Sequence, residues 1–96
     1  MTDLPPRMWT ALKELDRHAG DLRGALHFAY LALIAVHPAT EIPAPLQTEF
    51  SEILRCFRIR DPKDPKSVAE GVASLSIADL DRIERRIRAL ALRFNP

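Results

Sequence analysis

The chain has 96 residues, with 14 basic and 13 acidic side chains and a net charge of +1 at neutral pH. At 47% hydrophobic and 28% charged residues it is too apolar for a disordered segment, and its length suits a single domain, residues 1–96. The even charge balance removes any global electrostatic case for nucleic acid, an anionic membrane or an acidic substrate, so such a case must rest on a local patch. Cys56 is the one cysteine, which excludes an intrachain disulfide and makes the reducing cytoplasm the expected location. Asp3 and two prolines precede any apolar run, so no secretory leader is expected. The longest apolar stretch, Leu31 to Val36, is far below the ~20 residues of a membrane span.

The first predicted element opens at Pro5 and Pro6, with Asp3 as a candidate cap, and closes at His37-Pro38, because proline disfavours helix in the residue before it. Met8, Leu12, Leu15, Ala19, Leu22, Leu26, Ala29, Leu33 and Val36 form one apolar seam between those limits. Its steps alternate four and three, the pattern of helices that pack in coiled-coil style. Gly20-Asp21 offers a break, with glycine ending one helix and aspartate capping the next. The preserved seam phase favours one continuous helix, and a kinked pair is the alternative. A continuous rod of about 31 residues would measure roughly 45 Å. A domain of this size is about 30–35 Å across, so the rod would overhang it and call for a partner.

The stiff stretch Pro38 to Pro45 reads as a connector. A second, amphipathic helix is predicted from about Pro45 to Arg58, with Leu46, Phe50, Ile53, Leu54 and Phe57 on its apolar face and Gln47, Thr48, Glu52 and Arg55 opposite. Asp-Pro-Lys then occurs twice, at residues 61–66, which predicts a turn. Ser67 and Glu70 are spaced as a capping box for a short connector helix weakened by Gly71. Ser76 and Asp79 are spaced in the same way before the C-terminal amphipathic helix. Its apolar face comprises Ile77, Leu80, Ile83, Ile87, Leu90, Ala91 and Phe94. No segment alternates like a strand. The expected fold is all-α: a small bundle of one long or kinked N-terminal helix, a second amphipathic helix, a short connector helix and a C-terminal amphipathic helix.

Nothing in the sequence points to catalysis, a cofactor or a metal. His18, His27 and His37 are nine and ten residues apart, whereas helical metal ligands recur every three or four. Glu14 and His18 are one turn apart, but two ligands do not make a site. His37 suits a helix C-terminus, and His27, inside an apolar stretch, is expected to be buried and hydrogen-bonded. Cys56 has no histidine near it in sequence and reads as a packed or half-exposed thiol. No nucleophile elbow, Walker loop or dinucleotide loop is present, so an enzyme is not expected.

Two faces remain. The apolar stretch around Phe28 to Val36 exceeds what two short helices can cover, so Leu22, Leu26, Phe28, Ala29, Tyr30 and Leu33, with Leu92, form the candidate protein interface. Arg82, Arg86 and Arg93 lie opposite the apolar stripe of the last helix and form a candidate nucleic-acid face. Against that second reading, Asp81–Arg85, Glu84–Arg88 and Asp79–Arg82 have ion-pair spacing, and no aromatic side chain interleaves the arginines. The leading expectation is a non-enzymatic interaction or regulatory protein that binds a partner protein, as a homodimer. A small nucleic-acid-associated protein is the alternative. No membrane partner is expected.

Overall fold

Two prolines start the first helix, and Gly20 with Asp21 separates it from the second. The computed structural model describes residues 4–94. Helix α1 spans Pro6–Arg17, with Pro5 at the N-cap and no side-chain cap bond; the Asp3 cap lies outside the described residues. His18 closes α1, its amide donating to the Glu14 carbonyl. Asp21 then accepts a hydrogen bond from the Gly24 amide at 3.1 Å and so caps α2, Leu22–Leu33. The expected continuous rod is therefore two helices of 12 residues each, folded back on each other as an αα-hairpin.

The seam kept its phase for another reason. Each helix presents its own stripe to a shared core: Met8, Ala11 and Leu15 from α1, and Leu26, Ala29 and Leu33 from α2. Ala19, the seam residue in the turn, is exposed. The overhang disappears with the rod, and the molecule measures 36 × 27 × 19 Å.

After α2, His37 serves as the N-cap of a one-turn helix α3, Pro38–Glu41, and not as the end of the first element. Its amide donates to the Glu41 carboxylate at 2.7 Å. Gln47, assigned to a polar outer face, reaches back to this turn and donates from Nε2 to the carbonyls of Pro38 and Ile42, at 3.0 and 2.9 Å. It comes from α4, Ala44–Cys56, which buries Leu46, Phe50 and Ile53.

The two Asp-Pro-Lys units do different things. Asp61 forms a local turn by accepting from the Lys63 amide at 3.0 Å. Asp64 caps α5, Pro65–Ala73, by accepting from the Lys66 amide at 3.1 Å. The predicted cap at Ser67 is therefore one turn late: proline suits the first helical position, so the helix starts at Pro65. The Ser67 hydroxyl accepts from the Asp61 amide at 2.9 Å instead. Gly71 is buried where residues 58 and 59 cross α5; a Cβ there would stand 2.6 Å from Ile59 Cγ1 and 3.0 Å from the Arg58 carbonyl oxygen. Arg58 itself has φ of 57°, the left-handed conformation that ends many helices.

Ser76 and Asp79 form the expected reciprocal capping box on α6, Ile77–Ala91. Leu80, Ile83, Ile87 and Leu90 are buried, while Ile77, assigned to the same face, is exposed in the first turn. Helix α6 packs on α4, α2 and α1, and α5 packs on α2. The fold is thus an all-α bundle, with no strand among the described residues.

Candidate interaction surface

Helix α2 is apolar on nearly every side, so its neighbours decide what stays uncovered. Helix α1 takes one side, α5 and α6 take others, and Tyr30 packs its ring against Phe57 at 4.7 Å between centroids. Phe28 and Leu31 are left outside, at 47% and 41% exposure. They lie one turn apart, so they share a face.

The Phe28 ring is held although it is half exposed. His18, from the turn between α1 and α2, stacks on it with centroids 5.1 Å apart and planes 20° apart. The Nε2 of His18 lies 3.2 Å from the Glu14 carboxylate, which steadies the imidazole. His27 meets Phe28 edge-on at 5.7 Å. An aromatic side chain restrained before binding loses little entropy on binding, which favours it as an anchor.

Beside Phe28 a cleft of about 380 Å³ runs between α2 and α5. Gly24, Ala69 and Ala73 leave room for it, Val72 and Phe28 add apolar lining, and His27 also lines it. The two walls are tied by Arg23. Its Nη1 donates to the carbonyls of Val72 at 2.7 Å, Leu75 at 2.8 Å and Ala73 at 3.3 Å, which satisfies the open end of α5. Asp21 also borders the cleft, and its carboxylate is engaged with the Gly24 amide. The cleft is thus apolar, with its flanking charges already partnered. Among the described residues, no three His, Cys, Asp or Glu side chains gather in a way that would hold a metal ion.

The expected interface is only partly available. Leu26, Ala29, Tyr30 and Leu33 are buried in the chain's own core: once the helix breaks, α1 covers the seam of α2, and Phe57 packs on the Tyr30 ring. Leu22 is partly buried. Phe28 is at the surface, and Leu92 is 85% exposed at the end of α6. His27 is half-buried and forms no side-chain hydrogen bond among the described residues, contrary to the buried, bonded histidine expected.

The arginine face is also divided. Arg86 turns toward α4 and pairs with Glu49 and Glu52, both at 3.1 Å, and its Nη1 lies 3.4 Å from Cys56 Sγ. It is a tether between helices and not part of a solvated stripe. Burial disfavours the Arg86 charge, but the bonds to Glu49 and Glu52 outweigh it and hold its pKa above the ordinary value. Arg82 pairs with Asp79 at 3.3 Å, and Arg93 is exposed. The predicted pairs Asp81–Arg85 and Glu84–Arg88 are present at 3.0 and 3.1 Å, and Arg88 also bridges to Asp16 of α1.

Two residues escaped the sequence reading. Trp9 is largely exposed; it follows Met8 by one position, about 100° off the apolar stripe. Arg23 is a lone charge in an otherwise apolar stretch, and such a charge needs acceptors.

No protein-family model, curated protein or solved structure matches the chain. No helix among the described residues is long and apolar enough to cross a membrane.

Proposed function

We propose that this chain is a non-enzymatic helical interaction module that presents the outer face of α2 to a protein partner. The observation that carries this reading is the restrained, half-exposed Phe28 beside Leu31 and the α2–α5 cleft. An aromatic anchor next to an apolar groove with partnered flanking charges suits an apolar side chain arriving from another protein. The simplest partner is a second copy in the cytoplasm, giving a homodimer. The overhanging rod no longer supports that dimer, so it rests on the Phe28–Leu31 face alone. The nucleic-acid alternative is weaker, since Arg86 is committed to Glu49 and Glu52.

Light scattering on a sizing column tests the reading. The wild type is expected at about twice the chain mass at micromolar concentration, and Phe28→Asp at the monomer mass with an unchanged helical spectrum. A wild type that stays monomeric at high concentration overturns the dimer. Equal masses for the two proteins overturn the role of Phe28.

A further inference from the structure

A second apolar cleft, also about 380 Å³, opens where the end of α2 meets α4. Ile34, Val36, Phe50, Leu54 and Ile59 line it, with Pro38 and Pro62 from the flanking loops. Small-molecule sites have this character: a few hundred Å³, largely apolar, with a few polar groups that set orientation. Among the described residues, two polar side chains line it, Tyr30 and Arg55.

Both are short of partners. Tyr30 is only 4% exposed. Its hydroxyl makes no hydrogen bond to the protein among the described residues. Among the described residues, side-chain oxygens wholly withdrawn from solvent all have partners, so this hydroxyl keeps some exposure, and Tyr30 is one of the residues that line the cleft. Burial raises the Tyr30 pKa, which keeps the phenol protonated and able to donate. Arg55, exposed in the last turn of α4, enters no ion pair among the described residues, as is also true of Arg58 and Arg60 nearby in sequence, but of these three only Arg55 lines the cleft. An apolar cleft with a guanidinium and a phenol donor complements an apolar body with an anionic, acceptor-only head.

We propose that this cleft binds a small amphiphilic carboxylate. The hydrocarbon lies among Ile34, Val36, Phe50, Leu54 and Ile59, and the carboxylate faces Arg55 and the Tyr30 hydroxyl. The site is independent of the Phe28 surface.

Methyl NMR titration with octanoate, kept below its aggregation range, tests this. Saturable shifts are expected at Ile34, Val36, Leu54 and Ile59. Octanol, of equal length but uncharged, should bind at least about threefold more weakly, the scale of one exposed ion pair. Arg55→Gln should remove that preference, and Tyr30→Phe should weaken octanoate binding while the circular dichroism spectrum is kept. Phe28→Asp should leave octanoate binding unchanged. Absence of saturable shifts overturns the proposal. So does equal affinity for octanol and octanoate, or unaltered octanoate binding by both Arg55→Gln and Tyr30→Phe.

Discussion

The Nη1 of Arg23 lies 2.8 Å from the carbonyl oxygen of Leu75, 52 residues further along the chain. The same nitrogen is 2.7 Å from the Val72 carbonyl, so one guanidinium on α2 closes the C-terminal end of α5. The last carbonyls of a helix have no partner within it, and a cation there also complements the helix dipole. This contact fixes α5 beside α2 and thereby shapes the cleft next to Phe28.

Removing that cap should cost stability. Arg23→Met keeps much of the aliphatic stem, leaves the Leu75 carbonyl without its donor and leaves the Val72 carbonyl with backbone donors alone. A loss of about 1–3 kcal/mol in chemical denaturation is expected. The mutant's amides in α5 should also exchange faster than those in α1. A change below a few tenths of a kcal/mol would mean that water replaces the guanidinium without penalty.

The glycines should respond in opposite directions. Gly71→Ala forces a Cβ against Ile59 and the Arg58 carbonyl and should destabilise by about 1–3 kcal/mol. Gly20 has no neighbour within 4 Å of such a Cβ, and its φ is not positive. Gly20→Ala should therefore stabilise by about 0.4–1 kcal/mol through the unfolded chain. Gly24→Ala is a third case: its Cβ would collide with the Asp21 carboxylate, so it should disturb the α2 cap. Thermal melts of the three variants give the order directly.

Charge reversal along α6 should separate Arg86 from Arg82. Arg86→Glu would set a carboxylate against Glu49 and Glu52 and should cost roughly 1–3 kcal/mol. Arg82→Glu loses only an exposed pair and should stay within about 1 kcal/mol. Equal losses in urea titrations would show that the α4–α6 tether contributes no more than a surface pair.

Asp79 links the α6 cap to pH. Hydrogen bonds from the Ser76 backbone amide and then the Ser76 side chain hold its pKa below the ordinary aspartate value. A carboxylate depressed in the folded state contributes stability above its unfolded pKa, near 4, and loses it as pH falls through the lower folded value. The stability gap between wild type and Asp79→Asn should therefore shrink as pH drops from about 5 to about 2. A gap that stays constant over that range would separate the cap from protonation of Asp79.

Local chemistry was readable without the fold. Prolines at first helical turns, the Ser76–Asp79 box, the apolar stripe of α6 and the i,i+4 pairs Asp81–Arg85 and Glu84–Arg88 involve neighbours within a turn. Their spacing is dictated by helix geometry alone. The start of α5 was misplaced because Asp64 and Ser67 both suit a cap, and the preference of Pro65 for the first helical position decided between them.

Local sequence carried the all-α class and the lack of strand patterning, but not the break between α1 and α2 or the one-turn helix α3. Only tertiary structure decided whether the apolar seam is one rod or a hairpin, because an intact heptad phase fits both and the difference lies in what packs on what. It also decided which apolar residues are core. Tyr30 and Leu33 are covered by other helices, while Phe28 and Leu31 of the same helix are not. The same holds for Arg23, Gln47 and Arg86, whose acceptors lie on other elements. Periodicity reports which face of a helix is apolar. Coverage depends on contacts between residues far apart in the chain, and no local spacing encodes those.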